Sequence, residues 1–218
     1  CLWLENITPK DLRSLPLVKQ RVSECQRWRS EAPQTGDAYK LKDIPHLFRP
    51  CKQFQNVPYI AVPLVSSSMR KYMPMGFIVN GMIPGNNLFC IFGANTYHFG
   101  ILMSNVHMAW IRVVGGRLKS DWRYSKDIVY NNFPWPTPTD AQKEKIEKTA
   151  QAILDARNLY PDCSLADLYD EVTMPPELRK AHQDNDKAVM EAYGFNPRMP
   201  EPEIVAELFK LYQKLSVQ

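Results

Sequence analysis

Leu12, Leu15, Val18, Val22 and Cys25 recur every three or four residues, a spacing that lines one side of a helix and predicts a helical region over 9–31. Residues 32–56 lose that period and are rich in turn formers. Four short β-prone runs follow, at 59–65, 75–79, 88–92 and 97–102, separated by turn signals such as Pro84-Gly-Asn-Asn87 and Gly93-Ala-Asn95. Residues 104–114 read as a short helix that Ser104 caps and Gly115-Gly116 stops. On it Trp110, Val106 and Val113 are expected in the core, with His107 and Arg112 exposed; Trp3 and Trp28 are also expected in the core. Residues 118–124 read as extended.

The last 80 residues change period and read as helices. Thr139 and Gln142 form a capping box ahead of Ile146, Ala150, Ile153, Leu154 and Arg157 on one face, and Pro161 ends that helix. A short helix is expected near 164–170. Pro175-Pro176 starts another, with Leu178, Ala181, Asn185, Val189 and Ala192 on one side and Gly194 as its stop. Ile204, Leu208, Leu211 and Leu215 mark an amphipathic helix at the C-terminal end.

Charge adds what periodicity does not. From Ile44 to Ser120 there is no Asp or Glu, where the chain's average would place about eight in 77 residues. That stretch carries Arg49, Lys52, Arg70, Lys71, Arg112, Arg117 and Lys119 instead, which points to a polyanionic partner, nucleic acid first. Residues 1–138 hold 17 Lys+Arg against 8 Asp+Glu, whereas 139–218 hold 10 against 15. The two parts are expected to do different jobs, and the division falls in Phe133-Pro-Trp-Pro-Thr-Pro138, where prolines forbid helix and central strand.

The five cysteines are odd in number and contain no Cys-x-x-Cys pair, so reduced thiols in a cytoplasmic protein are expected. No run of 18 apolar residues suggests a membrane span. Cys1-Leu-Trp-Leu opens the chain without an initiator Met, so it is expected to be a piece of a longer protein.

Little in the sequence suits catalysis. His46, His98, His107 and His182 show no metal-ligand spacing, and the acids that lie beside proline or lysine fall in solvated helical sequence. Asn132-Phe-Pro-Trp135 has an outline like the Asn-Pro-Pro-aromatic loop of adenine methyltransferases. However, its second residue is Phe and no strand followed by Gly-x-Gly precedes it. A divergent methyltransferase working through that segment is one alternative function. A protein-interaction module with a basic face is another. RNA is a weaker rival, because the aromatics read as buried.

The basic segment is more specific. An extended 118–124 would send Lys119, Asp121 and Arg123 to one face and Leu118, Ser120, Trp122 and Tyr124 to the other. Such a ribbon suits a major groove, where Lys or Arg donates to guanine and Asp accepts from cytosine N4. An exposed strand with a local ion-pair ladder is the alternative. Ser66, Ser67, Ser68, Arg70 and Lys71, and likewise Asn86 and Asn87, suit phosphate or base-edge contacts, or in the case of the serines an ordinary turn. Arg112, Arg117 and Lys126 complete the candidate backbone contacts.

Three blocks resemble a known family: 104–112, 116–136 and Leu178-Arg-Lys-Ala-His182 with Ala188-Val-Met-Glu-Ala-Tyr-Gly194. They are similar to the C-terminal part of MmeI-like, type IIL restriction–modification enzymes and related large N6-adenine DNA methyltransferases. The resemblance implies a DNA target-recognition domain over 1–138 and a C-terminal helical domain over 139–218, an α+β protein of mixed α and antiparallel β followed by helices. It also implies that Lys119 and Asp121 set one base pair and that Arg123 with Asn86 or Asn87 sets another. Double-stranded DNA and the methyltransferase domain of the parent chain are the implied partners. S-adenosylmethionine, and Mg for any cleavage, would belong to the parent, and this piece is expected to hold no catalytic residue, metal or cofactor.

Overall fold

Pro16 divides the first helical region. In the computed structural model α1 (Pro9–Ser14) ends and α2 (Pro16–Glu31) begins across Leu15, whose φ of −116° and ψ of 77° lie outside the helix. Proline has no N–H to continue the ladder and pushes the residue before it out of the α region. The structure describes residues 2–49, 55–79 and 82–216; Cys1, Cys51 and Lys52 fall outside them.

The chain forms two compact units, Cys1–Gln55 and Asn56–Gln218. In the first, Thr8 caps α1 by accepting the Asp11 N–H, and α3 (Asp37–Lys40) follows α2. The Arg29 guanidinium donates to the carbonyls of Leu41, Ile44 and Leu47 at 2.9, 3.0 and 2.9 Å, tying the turns after α3 to α2. Trp3 stacks on Phe48 with ring centroids 5.7 Å apart. No residue of these helices is buried, and Trp3 and Trp28 are 46% and 64% exposed, so neither tryptophan is a core residue. Helical spacing marks a face of α2 on which Val18, Val22, Cys25 and Arg29 are half-buried, so among the described residues of this unit that face is covered only in part.

In the second unit β1 (Tyr59–Pro63) and β2 (Val65–Ser66) are followed by β3 (Gly76–Ile78) and β4 (Leu88–Phe92). β1 is central in an antiparallel sheet of order β3-β1-β4, its Ile60 set against Phe77 on one side and Ile91 on the other. Residues 97–102, expected as a strand, form α4 (Thr96–Leu102). Asn95 accepts the His98 N–H and His98 Nδ1 accepts the Asn95 N–H, a reciprocal cap that starts a helix. Apolar residues are buried on every side of α4, so neither period stands out in the sequence. Gly100 permits the close approach of α4 to α6 (Asp140–Asn158), since a Cβ there would lie 2.7 Å from Ile146 Cγ2.

Ser104 caps α5 (Asn105–Val114) as expected, but two side chains exchange places. His107 is fully buried, its Nε2 3.1 Å from the Tyr124 hydroxyl, and Val113 is exposed. α5 is enclosed along residues 106–111, and only Asn105 and its last turn reach solvent. After the strands β5 (Gly116–Leu118) and β6 (Asp121–Arg123) the chain makes a short π-helical turn at Lys126–Tyr130. Then come α6, capped by Thr139 and Gln142, α7 (Leu165–Leu168), α8 (Pro176–Ala192) and α9 (Glu201–Ser216). Gly194, at φ +71°, ends α8. α6 packs along α8, burying Ile146, Ala150 and Ile153 from one and Leu178, Asn185 and Val189 from the other. One hydrophobic core joins these helices to β1, α4 and α5, so it continues across the proline-rich segment.

A buried polar chain runs through that core. Arg157 donates to the Met75 carbonyl at 2.8 Å and to the Tyr169 hydroxyl, which lies 2.7 Å from His182 Nε2. Tyr72 stacks on His182 at 4.0 Å and donates to Asp186, whose other oxygen accepts the Asn105 N–H at 2.8 Å. Burial raises the Asp186 carboxyl to about 6, against the bonds from Tyr72 and Asn105. These bonds hold the end of the 66–71 segment against α5 and α8.

Candidate nucleic-acid interface

Leu64 links two sheets. Its N–H donates to the Asn87 carbonyl at 3.0 Å and its carbonyl accepts the Tyr124 N–H at 2.9 Å. β2 then pairs with β6, and β6 with β5, in an antiparallel sheet of order β2-β6-β5. The 116–123 hairpin, the 66–70 turn and the Asn86–Asn87 turn therefore all spring from strands joined at this point.

Residues 118–124 are not one extended run. The chain reverses at Lys119 and Ser120, placing Leu118 opposite Asp121 and Arg117 opposite Trp122. Lys119 has φ 56°, a left-handed conformation that costs a side-chain-bearing residue about 1–2 kcal/mol and that clusters at functional sites. It stands at the hairpin tip and does not share a strand face with Asp121 and Arg123. Leu118 joins the face of Asp121, not that of Trp122, because directly opposed residues lie on the same side. Asp121 and Arg123 do share a face, with Val65 and Gly116 flanking Arg123. Trp122 and Ser66 are paired on the other, buried face.

Asp121 Oδ1 accepts the Ser68 N–H at 3.3 Å and so ties the hairpin to the serine-rich turn. In that turn the Ser67 carbonyl accepts the Arg70 N–H at 3.2 Å and Ser67 Oγ accepts the Met69 N–H at 3.3 Å. Ser66 is buried, with its Oγ 3.5 Å from Arg70 Nη1; Ser67 and Ser68 are half-buried. Asn86 and Asn87 are exposed in the turn closed by the Leu88 N–H on the Gly85 carbonyl.

The basic candidates divide into two groups. Lys71, Arg117, Lys119, Arg123 and Lys126 are exposed, Lys126 lying 3.5 Å from Asp127, whereas Arg70 and Arg112 are half-buried. Arg112 is drawn inward instead, donating to Glu201 Oε2 at 2.5 Å and to the Lys71 carbonyl at 3.3 Å. The Arg117 guanidinium lies 3.1 Å over the Trp122 ring centroid and donates to the Ser120 carbonyl, so it covers the ring and braces the turn.

Asn132 Nδ2 donates to the Asp127 carbonyl at 2.9 Å, and Phe133 is buried edge-on to His107 at 4.5 Å. The 132–135 segment thus plugs the aromatic core, and burial drives the His107 imidazole down to about 3, leaving it neutral. Among the described residues no group of three or more His, Cys, Asp or Glu could hold a metal ion, and no helix is long and apolar enough to cross a membrane.

The small β2-β6-β5 sheet thus presents a charged hairpin, and a helical bundle follows it in the chain. Residues 1–137 match the MmeI target recognition domain and residues 138–218 the MmeI C-terminal domain, and the chain belongs to this family. It is 38% identical over 216 residues to DNA methyltransferase A of Bacillus subtilis strain 168, a match covering 99% of this chain and 24% of that protein. A solved structure of the type IIL restriction–modification enzyme MmeI in complex with DNA matches with a TM-score of 0.92 and 41% identity, over 100% of this chain and 29% of that one. The chain therefore spans about a quarter of the length of the curated relative.

Proposed function

We propose that this chain reads a specific duplex DNA sequence for a parent N6-adenine methyltransferase of the type IIL restriction–modification kind. The observation that carries the reading is the exposed face of the β2-β6-β5 sheet, where Asp121 and Arg123 stand side by side beneath Lys119 at the tip. A two-stranded hairpin fits the major groove. Lys119 would donate to guanine O6 or N7, and Asp121, with Oδ1 engaged by Ser68, would accept cytosine N4 through Oδ2. Arg123 with Asn86 or Asn87 would set a second base pair. Lys71, Arg70 and Lys126 would meet phosphates with help from Ser67 and Ser68, while Arg112 and Arg117 would hold the surface in shape.

Chemistry would lie elsewhere in the parent, in the cytoplasm. S-adenosylmethionine would sit in the methyltransferase domain of the parent, a reading supported by the lack of a Gly-x-Gly turn in this sequence. The target adenine would be extruded toward that domain. The acidic helical part, 139–218, would brace the recognition surface against it.

The test is fluorescence anisotropy with a randomised duplex pool, titrated with salt, followed by sequencing of the bound fraction. A steep salt slope with an enriched motif is expected. A steep slope without a motif would place specificity in the joint surface with the methyltransferase. No binding would move the function to a protein partner.

A further inference from the structure

Each charged base-reading candidate on the hairpin face has an apolar neighbour that is left exposed. Leu118, 51% exposed, is the cross-strand partner of Asp121, and Val65, 38% exposed, is the cross-strand partner of Arg123. Met69, 80% exposed, follows Ser68, whose N–H is bound to Asp121. Opposed residues in an antiparallel pair share a face, as do residues two apart on one strand. Leu118, Asp121, Val65 and Arg123 therefore occupy one surface.

A single exposed leucine is ordinary. Apolar side chains placed beside both charged groups are a different matter, because contact with phosphate alone has no use for them. In the major groove the base edges offer one apolar group, the C5-methyl of thymine. The occupant argued for is duplex DNA and not an apolar protein face, because Lys119, Arg123, Lys71 and Lys126 are all exposed and 77 residues of the domain carry no acid.

We propose that Leu118 and Val65 read thymine C5-methyl groups adjacent to the bases contacted by Asp121 and Arg123, with Met69 closing the rim of that surface. The proposal rests on the duplex-reading function above. It makes specificity a composite, with the charged groups choosing hydrogen-bond patterns and their apolar neighbours distinguishing thymine from cytosine at the next step.

The experiment uses the whole chain and its own selected duplex, with thymines replaced one at a time by deoxyuridine, which lacks only the methyl group. Binding is expected to weaken about fourfold at one or two thymines and to be unchanged at the others. Leu118→Ser and Val65→Ser, which put a hydroxyl-bearing side chain without a methyl at each site, should each abolish the sensitivity at one position while keeping the wild-type affinity for the deoxyuridine duplex. Both sites are exposed, so far-ultraviolet circular dichroism should be unchanged. A selected motif without thymine, equal binding of thymine and deoxyuridine, or a sensitivity that persists in both variants overturns the methyl inference and leaves duplex recognition standing. Failure to bind any duplex overturns both.

Discussion

The Tyr72 hydroxyl donates to Asp186 Oδ2 at 2.7 Å across 114 residues of sequence. Tyr72 ends the segment that holds the serine-rich turn, and Asp186 lies on α8, so this bond anchors a candidate DNA-contacting loop to the helical part. Tyr72→Phe removes one donor to a buried carboxyl and is expected to cost about 1–3 kcal/mol in urea unfolding. Asp186→Ala strands the Tyr72 hydroxyl and the Asn105 N–H together and should cost more. Equal, near-zero effects would mean that the link is not structural.

Two buried groups set opposite pH dependences. The folded chain keeps His107 at about 3, below its ordinary 6.5, so on acidification the unfolded chain takes up a proton that the folded chain refuses. Stability from this group is therefore lost as pH falls from 6.5 toward 3, at up to about 1.4 kcal/mol per pH unit. Asp186, at about 6 against an ordinary 3.8, works the other way and adds stability as pH falls from 6 toward 3.8. His182 is also pushed well below its ordinary value by burial and shares the sign of His107. The melting temperature should fall between pH 7 and 5. His107→Gln should flatten the decline and Asp186→Asn should steepen it, both readable by calorimetry across that range.

Gly100→Ala tests the packing of α4 on α6. The new methyl would lie 2.7 Å from Ile146 Cγ2 and 3.0 Å from Ala150 Cβ, so the helices must separate or the side chains shift. Overpacking of this kind costs about 1–3 kcal/mol. A chemical-denaturation midpoint equal to wild type would show that the helices yield without penalty.

Base reading and phosphate contact separate by mutation. Asp121→Ala should change or relax preference at one position of the selected motif. Lys71→Ala should weaken all sequences by a similar factor and lower the salt slope by about one. An unchanged motif in Asp121→Ala would confine that residue to its bond with Ser68.

Much of the helical part is legible in the chain because its signals are local. Ser104 bonds the His107 N–H, Thr139 and Gln142 bond each other, and Pro175-Pro176 and Gly194 bracket α8, all within a few residues. The acid-free span, the Lys119–Arg123 segment and the family resemblance are likewise properties of the sequence. Contacts between distant residues decided the rest. Helix α4 is enclosed in apolar neighbours, so its pattern carried no period and only the Asn95–His98 cap betrayed it. Lys119 takes a left-handed turn where Leu118 pairs with Asp121, a register no lysine announces. Arg112 turns inward because Glu201, 89 residues later, lies against it, and His107 is buried because Tyr124 and Phe133 close over α5. Caps and turns are bonds between near neighbours and can be read along the chain. Which face of an element meets solvent is a competition among distant surfaces, and only the folded packing settles it.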